Sequence, residues 1–217
     1  RTTGGAQQPM KWSASIRYWA VHSPHPVAKV LRAVRARTRH FTLPAPAVVR
    51  RVDGVAVAFI GAILSQAGQF LTPEQLRGLR VQDEAEAINH QVRRLRAQGV
   101  HAFVVIMHQG GWQHAEPKAD GTPPLVGDIA GVVSRLDGEV DVVLAGHTHT
   151  FHNVLVDNGG GRKTLVAQAW PWGTGFADSE LEIDRTNGEG VSLASRIVTT
   201  WADQGPGLLP DTRVAAR

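Results

Sequence analysis

The sequence predicts an α/β fold built on a mixed, mostly parallel sheet. Three observations carry this expectation: apolar runs of strand length in VDGVAVAFIGAIL, HAFVVIMHQGG and VDVVLAG, helix-period segments between them, and a glycine or turn signal closing each run. Strand, helix, strand, helix, strand is the rhythm that parallel pairing demands, because the chain must cross back along the sheet before the next strand starts.

Taken in chain order, Asp53-Gly54 supplies a turn, and Val55 to Ile60 form an apolar, partly β-branched run that reads as a buried strand. A loop containing TPEQLRGL leads to DEAEAINHQVRRLRAQG, a helix with Asp83 as N-cap, Glu86 three residues on and Gly99 as its stop. Ile88, Val92 and Leu95 share one face, so this helix docks on the sheet. The run from His101 is a continuous strand that ends at His108 and a glycine pair. After the loop AEPKADGTPPLVG, a short helix is expected around Ile129 to Leu136, then the strand VDVVLAG. Further strands around Asn153 to Val156, Leu165 to Ala169 and Ser179 to Ile183 read as antiparallel additions, with DNGGGRK as a hairpin turn.

Composition narrows the chemistry. With 217 residues, 42% of them apolar, the chain is long enough for one full-sized domain with a buried core. The absence of cysteine excludes disulfides, thiolate metal sites and cysteine nucleophiles. No apolar stretch approaches the ~20 residues a membrane-spanning helix needs, and no charged-then-apolar leader opens the chain. The first 52 residues hold 10 of the 23 Lys and Arg and none of the 19 Asp and Glu. Within them VAKVLRAVRARTRH is helix-compatible, with Val27, Val30, Leu31 and Val34 on one face. Such a basic arm could meet nucleic acid, but a segment of atypical sequence that is solvated, disordered or misread through a frameshift is at least as good a reading, and nucleic acid is not expected as a partner. The chain is accordingly divided into an acid-free segment (1–52), a domain (53–205) and a linker-like tail (206–217). Because it begins at Arg1 and not Met, we expect that either something was removed from its front or it is a piece of a longer protein.

In sheets of this kind ligands gather beyond the carboxyl ends of the strands. His108 ends one strand and His147 follows another, so two imidazoles are expected at one rim. Neutral imidazole is a common ligand of divalent transition metals, and Gly146 lets the backbone turn sharply beside His147. In an extended segment, His147 and His149 would leave on the same side. We therefore place metal ligands at His108, His147 and His149, and read His22, His25, His40, His90, His101, His114 and His152 as hydrogen-bonded or surface residues. GTPPLVG and DNGGGRK lack the spacing of a phosphate-binding loop, and no G-x-S-x-G elbow occurs. Trp170 and Trp172, in WPWGTGF, are read as core or loop packing residues, with an aromatic platform for a base or sugar as the alternative.

Four stretches in order carry a family resemblance: VRRVDGVAVAFIGA (49–62), VVIMHQGG (104–111), VDVVLAGHTHTFHN (140–153) and LVAQAWPWGTGFADSELEID (165–184). They resemble the calcineurin-like metallophosphoesterases, and within them the bacterial 5′-nucleotidase and 2′,3′-cyclic-nucleotide phosphodiesterase group, over residues 49–205. The resemblance implies a partial four-layer αββα fold with mixed sheets. It also implies two divalent metal ions (Zn, Mn, Co or similar), held in part by His108, His147 and His149, that clamp a phosphoryl group for hydrolysis. The implied substrate is a nucleotide or other phosphoester, and the implied location is periplasmic or extracellular. Gln109 stands where many relatives have Glu, at a position that is not a ligand. The group's front half contributes Asp-x-His, Gly-Asp and Gly-Asn-His-Glu stretches, none of which occurs ahead of Asp53. The chain is therefore expected to be an incomplete hydrolase, inactive or nearly so by itself. The alternative is a degenerate, non-catalytic metal-binding or interaction domain.

Overall fold

The computed structural model describes residues 45–113 and 124–200. The helix-compatible segment VAKVLRAVRARTRH, the tail 206–217 and His22, His25, His40 and His114 lie outside the described residues.

Strands β1 (Ala47–Val52) and β2 (Val55–Ile63) pair antiparallel across Asp53-Gly54. Both turn residues are left-handed, at φ 44° and 89°, the two-residue hairpin geometry that matches strand twist. This hairpin crosses the boundary drawn after residue 52. A 3-10 turn (Ser65–Gln69) and the short helix α1 (Pro73–Leu76) occupy the stretch read as loop, with Thr72 and Gln75 capping each other reciprocally.

Helix α2 (Glu84–Arg96) starts as expected. The Asp83 carboxylate accepts the Glu86 N–H at 3.1 Å, while its two oxygens take a bidentate pair from Arg135, at 2.9 and 3.0 Å. That hydrogen-bonded guanidinium, ahead of the backbone N–H of Glu86, holds the Asp83 carboxyl below the usual range. Ile88, Val92 and Leu95 are buried, each worth roughly 1.5–3 kcal/mol relative to exposure.

The remaining elements are β3 (Ala102–His108), β4 (Trp112–Gln113), β5 (Leu125–Val126), α3 (Asp128–Val133), β6 (Val140–Leu144), β7 (His152–Asp157), β8 (Lys163–Gln168), β9 (Gly175–Ile183) and β10 (Gly190–Thr199). One six-stranded sheet runs β1-β2-β3-β6-β8-β7, and β9-β10 and β4-β5 form separate two-stranded ladders. Inside the large sheet β2, β3, β6 and β8 are parallel, and β1 and β7 add antiparallel edges.

The expectation for Leu165 to Ala169 was antiparallel; β8 is antiparallel to β7 but parallel to β6. The reason is topological. The chain leaves β6, runs out to the edge as β7 and turns back through Asn158–Arg162, so β8 returns between them in β6's direction. Strand β10 escaped the sequence reading because it holds no continuous apolar run like those of β2, β3 and β6, and none of its residues is fully buried.

Three layers result. Helices α2 and α3 cover one face, packing Ile88, Val92, Leu95, Ile129 and Val133 against Ile60, Phe103, Val105 and Val143. The β9-β10 hairpin covers the other, where Ala177, Leu181 and Ile183 meet Val57, Val104, Val142 and Leu165. Its cover stops short of the strand ends, since Ile106 and Ile63 remain 38% and 58% exposed. The α/β class and mixed sheet match the metallophosphoesterase fold inferred from the motifs.

Candidate metal centre

Strands β3 and β6 are parallel neighbours, so their carboxyl ends meet at one rim. His108 ends β3, and Gly146, beyond β6, donates its N–H to the Gln109 carbonyl at 3.3 Å. This brings His147 Nδ1 to 3.2 Å from His108 Nε2, with the rings edge to face and their centroids 5.0 Å apart. At that distance one nitrogen must carry a proton and the other a lone pair.

The same separation suits a shared ion. Two imidazole nitrogens bound tetrahedrally at the usual 2.0–2.1 Å lie about 3.4 Å from each other. The His108–His147 pair therefore fits two of an ion's donors. Among the described residues, no three His, Cys, Asp or Glu side chains gather around one ion position.

His149 departs from the expected geometry. The Gly146–His149 segment is a tight turn, with Thr148 N–H on the Gly146 carbonyl at 3.0 Å and left-handed φ at His147 (76°) and His149 (57°). The rule that alternate side chains share a side belongs to extended backbone and does not apply. His149 instead packs edge to face on Trp172, centroids 6.2 Å apart. Left-handed backbone costs a non-glycine residue roughly 1–2 kcal/mol, a strain that surrounding structure must hold and that clusters at functional sites.

Hydrogen bonds from two neighbouring segments provide that hold. Thr148 Oγ1 donates to the Gly111 carbonyl at 2.9 Å, and Thr150 Oγ1 reaches the same oxygen. Buried Gln168, at the end of β8, donates to the Thr150 carbonyl at 2.8 Å and to Thr148 Oγ1 at 3.1 Å. Gly110 lies so close that a Cβ there would stand 2.3 Å from the Gly146 carbonyl oxygen.

Beneath the rim, buried Gln109 donates to Glu84 Oε1 at 3.1 Å and accepts the Gly110 N–H at 3.0 Å. Glu84 also accepts the Ser65 N–H at 2.8 Å, from the first turn of α2, where the helix dipole favours an anion. Sequence reasoning missed Thr148, Gln168, Gln109 and Glu84 as supports of the rim. The available signal was polar residues standing where apolar strands and a docked helix begin or end.

The other histidines and the tryptophans are placed as follows. His90 is exposed, and His101 Nδ1 stands 3.5 Å from Glu139. His152 corrects the surface reading: it is fully buried at the start of β7, and among the described residues neither ring nitrogen makes a well-aligned hydrogen bond, the Gly111 backbone being its near polar neighbour. Burial pushes its imidazole down to about 4, against a weaker opposing pull from the Gly111 backbone. Trp170 and Trp172 are not core residues, at 46% and 72% exposed, but each packs within the loops, Trp170 on Phe151 and Trp172 on His149. They flank the rim because β8 ends at Gln168, two residues before Trp170.

No protein-family model matches the chain. It is 31% identical over 174 residues to Endonuclease YhcR of Bacillus subtilis (strain 168), covering 80% of this chain and 13% of that protein. It is 32% identical over 159 residues to cell wall protein Lmo0130 of Listeria monocytogenes, covering 71% of this chain and 20% of that protein. The chain thus spans a fifth or less of the length of these curated relatives.

Among solved structures, a 5′-nucleotidase precursor from Thermus thermophilus superposes with a TM-score of 0.61 at 24% identity, over 81% of this chain and 36% of that one. The sulfate thiohydrolase SoxB of Thermus thermophilus gives 0.57 at 22% identity, over 76% and 26%. The calcineurin-like phosphoesterase YfkN of Bacillus subtilis gives 0.51 at 18% identity, over 71% and 50%. With four sequence motifs in order and this shared architecture, the chain carries part of the calcineurin-like metallophosphoesterase fold, in the form found in the 5′-nucleotidase group.

Proposed function

We propose that this chain is part of a metal-dependent phosphoester hydrolase of the 5′-nucleotidase type, and that it contributes the imidazole side of the metal centre. The observation that carries the reading is the His108–His147 pair, 3.2 Å apart at the strand ends. His108 and His147 would hold a divalent ion, with His149 as a further ligand once its ring turns from Trp172. When bound, such ions supply Lewis-acid neutralisation of phosphoryl oxygens. The chain's own part is to present the two nitrogens in register, which the Thr148–Gly111–Gln168 bonds and the Gln109–Glu84 bond support. Substrates in this reading are nucleoside monophosphates or cyclic nucleotides; a relative named an endonuclease agrees with a phosphoester of nucleotide type. A relative named a cell wall protein supports an extracellular or periplasmic setting. No helix among the described residues is long and apolar enough to cross a membrane.

Three imidazoles leave the charge of two divalent ions unneutralised, so the chain alone is expected to hydrolyse little. That same gap is what favours the second reading, a degenerate domain that binds metal without hydrolysis. Titrating Zn2+ into the 217-residue chain tests the centre. His108→Ala and His147→Ala are each expected to weaken binding at least about ten-fold, or 1.4 kcal/mol. Unchanged affinity in both variants would sink the metal site. Assay with Mn2+ or Co2+ and adenosine 5′-monophosphate should give turnover near background; robust turnover abolished by His147→Ala would instead show a complete hydrolase.

A further inference from the structure

We propose that two copies of this chain pair across their histidine rims around one shared zinc ion, each copy supplying His108 and His147. This rests on the metal-centre reading and goes beyond it, because it makes the second copy part of the site.

The coordination count leads to it. Zinc held by protein side chains alone is almost always four-coordinate and tetrahedral. This chain brings two imidazole nitrogens to 3.2 Å, the spacing of two such donors, and both rings are exposed. Among the described residues no third His, Cys, Asp or Glu joins them around one ion position, and His149 is engaged edge to face with Trp172. Half of a tetrahedral shell therefore stands at the surface, held by the left-handed backbone at His147 and the Thr148 bond to the Gly111 carbonyl. A two-fold axis through the ion turns two donors into four, and two-fold pairing is the commonest symmetry of soluble oligomers.

The surface around the pair is the second observation. Of the ten large apolar side chains that stay exposed among the described residues, six lie at the carboxyl ends of β2, β3 and β8 or on the segments that leave them: Ile63, Phe70, Ile106, Trp112, Trp170 and Trp172. The histidines stand at the same end of the sheet. Ile106 and His108 are alternate residues of β3 and leave one face of it, and Trp172 touches His149. Single exposed apolar residues are ordinary, whereas their gathering around one rim marks an interaction surface.

The size and character of that rim fit a second copy. Four aromatic side chains of roughly 150–250 Å2 each, exposed by about half or more, and two isoleucines put on the order of 600–700 Å2 of apolar surface there. A standard interface takes about 800 Å2 from each partner, so the rim supplies most of one. Pairing about a two-fold axis also sets each patch against itself, which would repel a charged surface but suits an apolar one.

Sedimentation velocity of the untagged whole chain, in EDTA and then in Zn2+, tests the pairing. The 23.4 kDa chain is expected to double in mass with Zn2+, at one ion per two chains, and to return to monomer when EDTA is restored. His108→Ala and His147→Ala should stay monomeric at the same Zn2+ concentration. Ile63→Lys, at an exposed position that carries no ligand, should weaken the zinc-bound dimer at least about ten-fold and leave the melting temperature of the metal-free chain unchanged. A chain that binds Zn2+ through His147 yet stays monomeric overturns the pairing, leaves the metal centre standing and gives the rim to a different partner. A dimer that forms in EDTA and persists in His147→Ala overturns the shared ion, as does one ion per chain within the dimer. Masses beyond the dimer overturn the closed two-fold. Absence of Zn2+ binding sinks the metal centre and the pairing together.

Discussion

Replacing Gly111 by alanine is expected to destabilise the protein by about 3 kcal/mol, near the upper end for overpacking, and to abolish Zn2+ binding with it. An added Cβ would stand 2.0 Å from the Val126 carbonyl oxygen and 2.8 Å from Ile129 Cγ2. Neither neighbour is the far end of a flexible side chain. Val126 is backbone in the β4-β5 ladder, and Ile129 is fully buried in α3. The strand-end segment must therefore move, and the Gly111 carbonyl, which receives Thr148 and Thr150, moves with it.

For a chain of this size the loss corresponds to a melting temperature lower by roughly 6–12 °C. Gly131→Ala supplies the contrast. That glycine is exposed in α3, and nothing lies within 4 Å of an added Cβ. Alanine there should stabilise by roughly 0.5–1 kcal/mol, since glycine gives up more backbone freedom on folding into a helix. Thermal melts of the two variants beside the parent decide the matter. A Gly111→Ala protein that melts with the parent would show that the close approach is not needed.

This contrast illustrates what the sequence could and could not tell. The parallel core was legible because β2, β3 and β6 are continuous apolar runs, and α2 because Asp83, Gly99 and the Ile88-Val92-Leu95 face mark its start, stop and docking side. The meeting of His108 with His147 was legible for the same reason: each ends or follows a central strand of one sheet.

The course of the chain between His147 and His149 was not. It depends on left-handed backbone at two non-glycine residues, which no propensity marks, and on threonine and glutamine bonds from segments far apart in the chain. Whether the indoles pack in the core or in the loops stayed open for a related reason, because a tryptophan beside proline and glycine looks the same whether its turn folds in or out; the loops hold them, against Phe151 and His149. The burial of His152 and Asp141 was equally hidden, and these two groups give the second large effect.

Stability is expected to be nearly flat between about pH 4 and 6.5, because two buried groups oppose each other there. Asp141 sits where the β3-β6 register shifts, so that Val104 pairs with Val142 although Phe103 pairs with Val140. The bulge leaves the Phe103 N–H without a ladder carbonyl, and Asp141 Oδ2 accepts it at 2.8 Å. Burial pushes the Asp141 carboxyl from 3.8 up to about 7, more than this hydrogen bond and the charge of Arg162 pull it down. Its folded state holds a proton that the unfolded chain releases above pH 3.8, so stability is lost as pH rises toward 7, by about 4 kcal/mol in all.

His152 works in the other sense. Its folded value of about 4 lies below the ordinary 6.5, so the unfolded chain takes up a proton first, and stability is lost as pH falls from 6.5 toward 4, by about 3 kcal/mol. Across the shared range one more proton on each state cancels, and the slope of stability with pH vanishes. Single variants unmask the two halves. Asp141→Asn keeps an acceptor for Phe103 but cannot ionise, so its stability should climb by about 3 kcal/mol between pH 4 and 6.5 and exceed the parent's above pH 7. His152→Leu keeps the bulk and gives up only the poorly aligned approach to the Gly111 backbone, so its stability should fall by about 4 kcal/mol between pH 4 and 7. Urea unfolding at half-unit steps of pH reads all three profiles. Three parallel curves would mean that neither group titrates across folding, whereas slopes of opposite sign in the variants and none in the parent would establish the compensation, since no single group can produce both.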